Sequence, residues 1–374
     1  MKNFQPFQIA SRDPRLTYDV LEYISEGSFG KVYKAKASGT PVALKMLKGE
    51  EVEDDVLREQ HILETLQLSP MKDFFIHLKK SFKYEESYIQ IYEYMDMDLH
   101  TYMQEYAIFP TKDARKLLHQ LLLALNQLKD YGIIHADLKP ENIMVNNNMA
   151  LKVIDFGASH YAKKVWNHTQ IVTLPYRAPE IILGAGYNEA IDMWAFGCIA
   201  AKMLINRTLY PGRSDFEMLA MIKQTHGDYP QRLLQSAKQR KVFFDLEGSD
   251  YILKDPAKFG YRIRDVGITL LEIASVTENV KFSSEGMRRR LELSDVVGCC
   301  LELDPTIRMQ PADALESKFF AEKQWNDKDI ISDRRPIANG KVPQSPKCTL
   351  QTPSAVSQTP TTGFRSRSPV IFSQ

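Results

Sequence analysis

Residues 133–157 read Ile133-Ile134-His135-Ala136-Asp137-Leu138-Lys139-Pro140-Glu141-Asn142-Ile143-Met144-Val145, then Asn146-Asn147-Asn148-Met149-Ala150, then Leu151-Lys152-Val153-Ile154-Asp155-Phe156-Gly157. An apolar strand enters a polar loop carrying Asp137, Lys139 and Asn142, and a second apolar strand delivers Asp155 beside a glycine. Strands on either side of Asn146-Asn147-Asn148 predict a hairpin. That hairpin folds Asp137, Asn142 and Asp155 toward one another. Two carboxylates, an amide and a lysine suit Mg²⁺-phosphate chemistry: hard oxygens for the metal, one carboxylate to orient a hydroxyl, one cation for a transferring phosphoryl group. Taken alone, the stretch also reads as a solvated acidic hairpin.

Further motifs stand on both sides of it. Upstream, Ser25-Glu26-Gly27-Ser28-Phe29-Gly30-Lys31-Val32 joins two strand-like runs through a glycine-bearing turn. Such a turn lets backbone N–H groups approach phosphates, though by itself it also reads as an ordinary hairpin. Val42-Ala43-Leu44-Lys45 is an apolar strand holding one lysine, which on a half-buried strand simply faces outward. Residues 53–67 form a helix with Val56, Ile62, Leu63 and Leu66 on one face. Ala114, Leu117, Leu118, Leu121, Leu122, Ala124, Leu125 and Leu128 make a core stripe on a long helix that opens at Pro110-Thr111. Downstream come Thr173-Leu174-Pro175-Tyr176-Arg177-Ala178-Pro179-Glu180, Asp192 at the head of an apolar helix, and Arg308 after Asp304-Pro305. Ser214 and Glu217 fit a helix capping box.

These motifs, in this order, resemble a eukaryotic protein kinase of the CMGC group. The catalytic loop stands as H-x-D-x-K-x-x-N and the metal loop as D-F-G. The resemblance covers about 300 residues and implies an α+β, two-lobed protein kinase fold: a small lobe with a five-stranded antiparallel sheet and one helix, and a larger, mainly helical lobe. The expected division is a loosely attached leader at 1–16 and a kinase domain at 17–322. Within that domain the small lobe takes 17–94 and the large lobe 95–322, with a group-type insert at about 228–290. A disordered Ser/Thr/Pro-rich tail is expected at 323–374.

The resemblance also implies roles. ATP would be bound by Ser25, Glu26, Gly27, Ser28, Phe29, Gly30, Val32, Ala43, Lys45, Glu59, Tyr92, Glu93, Met95 and Met144. Lys45 would hold the α/β-phosphates, paired with Glu59, with Glu64 as the other acidic choice on that helix. Tyr92 would guard the back pocket, and backbone groups of Glu93 and Met95 would bond adenine. Asn142 and Asp155 would hold Mg²⁺, Asp137 and Lys139 would be catalytic, and Thr173, Glu180, Asp192 and Arg308 would support the site. Asp96 and Asp98 suit ribose or ordinary helix capping equally.

Within the group, His-Ala-Asp, the run Asp155-Phe156-Gly157-Ala158-Ser159-His160 and Tyr176-Arg177-Ala178-Pro179-Glu180 are similar to homeodomain-interacting and dual-specificity tyrosine-regulated kinases. The family's arginine that pairs with a phosphorylated loop residue is Ala136 here, so little dependence on an activating kinase is expected. The branch's self-phosphorylated tyrosine aligns with Gln170, and the group's pocket-shaping arginine with Leu174, which puts proline-directed specificity in question. A first glycine of the phosphate loop is replaced by Ser25. All five key polar positions are competent, favouring an enzyme acting on Ser/Thr hydroxyls, with or without tyrosine autophosphorylation, over a pseudokinase scaffold. A small-molecule kinase is disfavoured by the A-P-E segment and the insert.

Composition sets the frame. The 374 residues are 44% hydrophobic and 25% charged with a formal net charge of +1, ordinary globular material with no signature of a nucleic-acid partner. No apolar run reaches the ~20 residues of a membrane helix, and the start lacks a signal-peptide core. Cys198, Cys299, Cys300 and Cys348 form no C-x-x-C pair, so a reducing compartment, nucleus or cytoplasm, is the default for this expected monomer. Arg288-Arg289-Arg290 reads as a solvated helix face or, secondarily, a nuclear signal. Ser345, Thr352, Thr359 and Ser368 each precede proline in the tail.

Overall fold

The computed structural model describes residues 4–10, 17–27, 30–48, 53–106, 108–162, 172–261, 265–267, 269–275 and 282–321. Ser28, Phe29, Gln170, Cys348 and the expected tail lie outside the described residues. The first six strands are β1 (Phe7–Ala10), β2 (Thr17–Gly27), β3 (Gly30–Ala37), β4 (Thr40–Lys48), β5 (Leu78–Tyr84) and β6 (Ser87–Glu93). They form one antiparallel sheet in the order β1-β2-β3-β4-β6-β5. The expected sheet thus has a sixth strand. Phe7–Ala10, taken from sequence as part of a loose leader, pairs with Thr17–Val20 and buries Ile9 to 1% exposure. Ile9 joins Tyr18, Val20, Tyr33, Ala35, Val42, Leu44, Phe82, Ile89 and Ile91 in the core on one face of the sheet. Burial of Ile9 and the antiparallel ladder with β2 both offset part of the ordering cost of this edge strand.

Alternation decides what the other face carries. Cross-strand partners lie on the same side of a sheet, and Lys45 is opposite Gln90 while Ala43 is opposite Tyr92. Helix α1 (Glu53–Gln67) covers this face with Val56, Glu59, Ile62, Leu63 and Leu66 buried. Lys45 therefore points into the space between sheet and helix, where a lone outward-facing lysine would not be.

The larger part is helical around short strands. Strand β7 (Met97–Asp98) leads into α2 (Leu99–Gln104), then α3 (Thr111–Asp130), β8 (Ile133–Ile134), β9 (Ile143–Val145), β10 (Leu151–Val153) and β11 (His160–Tyr161). Next come α4 (Pro179–Ile182), α5 (Ala190–Ile205) and α6 (Asp215–His226). The predicted stripe of α3 is buried along its length, and α5, hydrophobic all round, is buried at every position. Between residues 231 and 253 lie two short helices, α7 (Gln231–Ser236) and α8 (Arg240–Phe243), and a hairpin of β12 (Phe244–Glu247) with β13 (Asp250–Leu253). Helix α9 (Ser284–Cys300) then packs on α5. Of the three consecutive arginines on α9 only Arg288 faces solvent. Arg289 and Arg290 are 3% and 0% exposed, and Arg290 donates to the carbonyls of Ala274 and Leu204 at 2.9 and 2.8 Å. The basic run is thus mostly structural, neither a fully solvated face nor an accessible signal. Ser214 caps α6 as expected through Glu217 N, while the Glu217 carboxylate accepts from Arg213 N.

Candidate active site

The predicted hairpin forms with a wider turn than expected. Val145 pairs with Leu151, and the Asn146 side chain closes the turn by accepting from Asn148 N and Ala150 N at 3.0 and 2.9 Å. Ile133–Ile134 pairs instead with His160–Tyr161. Between these two small sheets the polar loop is held in a fixed shape. Asp192, on the first turn of α5, accepts from His135 N and Ala136 N at 2.7 and 3.0 Å. Those bonds hold Ala136 at φ +63°, a left-handed conformation that alanine rarely adopts. Burial pushes the Asp192 carboxyl up from its usual range, against the lowering effect of His135 and the two N–H groups. The His135 ring donates from Nε2 to Ile154 O at 3.0 Å and lies 5.0 Å from the Phe156 ring, tying the loop to the strand that carries Asp155.

Asp137 then gathers its neighbours. Lys139 Nζ lies 2.7 Å from its Oδ2 and 2.9 Å from Thr173 Oγ1. Thr173 donates to Asp137 Oδ1 from its N–H and hydroxyl, at 2.9 and 2.6 Å. Asn142 Nδ2 donates to Asp137 O and Oδ2 at 2.8 and 3.1 Å, which turns the Asn142 amide oxygen away from the loop. Across the cleft, Lys45 Nζ donates to both Glu59 oxygens at 3.1 Å and to Asp155 Oδ1 at 2.9 Å. Burial would lower the Lys45 pKa, but Asp155 and Glu59 outweigh it and the ammonium is held charged. Burial likewise works against ionised Asp155, yet Lys45 keeps its carboxyl below the usual value. Asp155 sits at φ +62°, and residues 156–158 turn tightly after it. The structure therefore brings Lys45, Glu59, Asp137, Lys139, Asn142, Asp155 and Thr173 to one place. Glu64 is not part of it; its carboxylate accepts from Gln60 on the exposed side of α1.

The donor set fits a magnesium ion. Among the described residues no group of three or more His, Cys, Asp or Glu gathers to hold a metal unaided. The Asn142 amide oxygen and the Asp155 carboxylate supply two hard oxygens, suited to an ion that keeps waters and takes phosphate oxygens for its remaining positions.

Other expected residues fall around this cluster. Ser25, Glu26 and Gly27 pair with Val32, Lys31 and Gly30 across a hairpin end. A Cβ on Gly30 would meet Met46 O at 2.4 Å, so that position requires glycine. Met97–Asp98 pairs with Met144–Val145, setting Met144 beside the chain that leaves β6. Asp98 caps α2 by accepting from Thr101 N at 2.8 Å, as the capping reading expects. Glu93 donates its N–H to His77 O, and its carboxylate accepts from Lys152 at 2.8 Å and from His77 N at 2.9 Å. Tyr92 is 8% exposed, and its hydroxyl donates to Glu59 Oε1 at 3.1 Å. Farther off, Glu180 and Arg308, both wholly buried, pair through two bonds of 2.6 and 3.0 Å, and Arg308 also donates to Ala190 O and Glu302 O.

Three residues escaped the sequence reading. Arg58 donates to Gly157 O and Ser159 O. Ser159 Oγ donates to His135 O at 2.9 Å. Arg177 donates twice to Val172 O, at 3.2 and 2.9 Å, and is steadied by Asp215 at 2.7 Å, while Val172 stands at φ +76°. Arg58 neighbours Glu59 on α1 and Arg177 lies inside the A-P-E stretch, so each was adjacent to a motif. Their partners are backbone carbonyls, which leave no mark in a sequence.

A curled antiparallel sheet with one helix, over a helical body that cradles Asp137 and Asp155, is the architecture of a protein kinase, and the model of the protein kinase domain matches residues 18–320. The chain belongs to the protein kinase family. Within that family it is similar to homeodomain-interacting protein kinase 1 of Caenorhabditis elegans, 34% identical over 336 residues, covering 81% of this chain and 40% of the relative. It is also similar to homeodomain-interacting protein kinase 2 of Mus musculus, 32% identical over 329 residues, 81% of this chain and 28% of the relative. Serine/threonine-protein kinase prpf4B of Dictyostelium discoideum is 28% identical over 320 residues, 81% of this chain and 39% of the relative. The chain thus spans well under half the length of these curated relatives. No helix among the described residues is long and apolar enough to cross a membrane.

Proposed function

We propose that this chain is a Mg-ATP-dependent protein kinase that phosphorylates serine and threonine hydroxyls. The observation that carries the reading is the single cluster in which Lys139 bridges Asp137 and Thr173 while Lys45 bridges Glu59 and Asp155. Asn142 and Asp155 would hold magnesium, which when bound would screen the charge of the nucleotide phosphates. Lys45, fixed by Glu59, positions the α/β-phosphates. Asp137 orients the substrate hydroxyl and takes its proton as the oxygen attacks. Lys139 offsets negative charge on the transferred group. Catalysis of this kind is mainly positioning and electrostatics, and every group invoked here is already held by at least one partner.

We infer local specificity from Val172 and Arg177. The Val172 carbonyl turns toward Arg177 and is fully engaged there. The substrate residue after the target hydroxyl then finds no acceptor for its N–H, which favours proline, the residue without one. This reading favours a proline preference, the point that Leu174 puts in question. Incubating purified protein with Mg-ATP and a degenerate peptide library tests both points. The expected result is Ser/Thr phosphorylation with proline enriched at the following position. Nucleotide binding without phosphoryl transfer would instead mark a pseudokinase scaffold, and phosphoamino-acid analysis separates Ser/Thr products from tyrosine autophosphorylation.

A further inference from the structure

Helix α1 carries two adjacent tethers of different reach. Glu59 faces the sheet and bonds Lys45. Arg58 reaches into the other lobe, donating from Nε to Ser159 O at 3.0 Å and from Nη2 to Gly157 O at 2.9 Å. Asp55, one turn earlier, accepts from Nη1 at 2.6 Å and orients the guanidinium plane. The two carbonyls lie just downstream of Asp155, whose left-handed backbone (φ +62°) is strained for a non-glycine residue. Such a conformation persists only where its surroundings fix the chain on both sides. Upstream, Ile154 N donates to Asn142 O at 2.9 Å. Downstream, Arg58 spans the turn that follows, and Ser159 Oγ adds its bond to His135 O.

We propose that Arg58 is a positioning residue for the metal loop: by bridging the carbonyls of Gly157 and Ser159 it holds Asp155 in the pose from which it meets the metal. The bridge uses a planar fork of donors and unmodified backbone, so it forms without any phosphate. It depends on geometry and not on charge alone, because a lysine ammonium cannot present two parallel N–H groups to two carbonyls in this way. The inference rests on the kinase reading above for its catalytic consequence, but its structural half stands by itself.

Arg58→Lys and Arg58→Met in the full chain are the test. Hydrogen–deuterium exchange is measured on protein free of nucleotide and metal, and the peptide covering residues 155–161 is compared with peptides from α1 and α5. Both variants are expected to exchange about tenfold faster or more in 155–161, the scale of losing charged hydrogen bonds, with α5 unchanged. In phosphotransfer assays the Mg²⁺ concentration for half-maximal rate is expected to rise by about the same factor, with the KM for peptide unmoved. Wild-type exchange in 155–161, or an unshifted Mg²⁺ dependence in an active enzyme, would overturn the proposal. If the wild type itself transfers no phosphate, the kinase reading fails while the exchange comparison still decides the role of Arg58. Should Arg58→Met fail to fold, Arg58→Lys carries the same comparison.

Discussion

Replacing Asp192 by asparagine takes one acceptor from two buried backbone donors. The carboxylate now serves His135 N and Ala136 N with separate oxygens, whereas an amide has a single oxygen and its NH₂ would face the second N–H. A hydrogen bond to a charged acceptor is worth about 1.5–3 kcal/mol, and an orphaned buried N–H costs about 1–3 kcal/mol. Part of that sum is returned, because burial already disfavours the ionised form of Asp192. A net loss of about 2–4 kcal/mol is expected, which at about 2–4 °C per kcal/mol lowers Tm by about 5–15 °C. The functional loss has a second source. Ala136 in the left-handed region costs about 1–2 kcal/mol; once released it relaxes and carries Asp137 with it. A displacement of about 1 Å costs about 10²-fold in rate. The assay is kcat with saturating Mg-ATP beside a thermal melt, at 25 °C or below so that the variant stays folded. Adding Ala136→Gly to the variant removes the strain and is expected to restore part of the rate. An Asp192→Asn protein with wild-type kcat and Tm would refute the claim that these two bonds set the loop.

Two further outcomes concern stability. Glu180→Gln leaves the Arg308 guanidinium wholly buried without its carboxylate; a loss of about 3–5 kcal/mol is expected in denaturant or thermal unfolding, and a loss under 1 kcal/mol would contradict the pairing. Burial lowers the pKa of His226 despite its bonds to Leu301 O and Ile222 O, and His119 is lowered by burial and Arg115. A histidine depressed in the fold is neutral in both states above its ordinary value of about 6.5. Below that value the unfolded chain takes up the proton first, so stability falls with pH. Melts at pH 7.5 and 5.5 are expected to show the lower Tm at 5.5, with a smaller drop in His226→Leu.

The polar cluster was legible because kinase chemistry fixes residue types at fixed spacings, and one hairpin brings Asp137, Asn142 and Asp155 together whatever surrounds them. Glu59 was legible for a related reason: the helix period places it on the same face as Ile62, Leu63 and Leu66. The rest depended on contacts without local pattern. Phe7–Ala10 looks like leader because only Ile9 of its four residues is buried. Arg290 belongs to a charge run that usually faces water, yet a tertiary pocket of carbonyls and the ring of Phe282, 4.5 Å away, draws it inside. At Asp98 the local capping rule was enough to place the side chain. The left-handed turns at Ala136 and Val172 fall on residues with no intrinsic preference for them, and the one at Asp155 on a residue with only a modest preference; they are held by Asp192, by Arg177 and, at Asp155, by closures on both sides that include Arg58.

Phosphoryl transfer by the purified chain and by Asp137→Asn, with Mg-ATP and a peptide holding a Ser-Pro or Thr-Pro target, tests the central claim most directly. The wild type is expected to label the peptide, and the variant to lose about 10²–10⁴ of the rate while still binding nucleotide. Equal turnover by the two proteins would contradict the assignment of Asp137, and no turnover by either, with nucleotide bound, would contradict the enzyme.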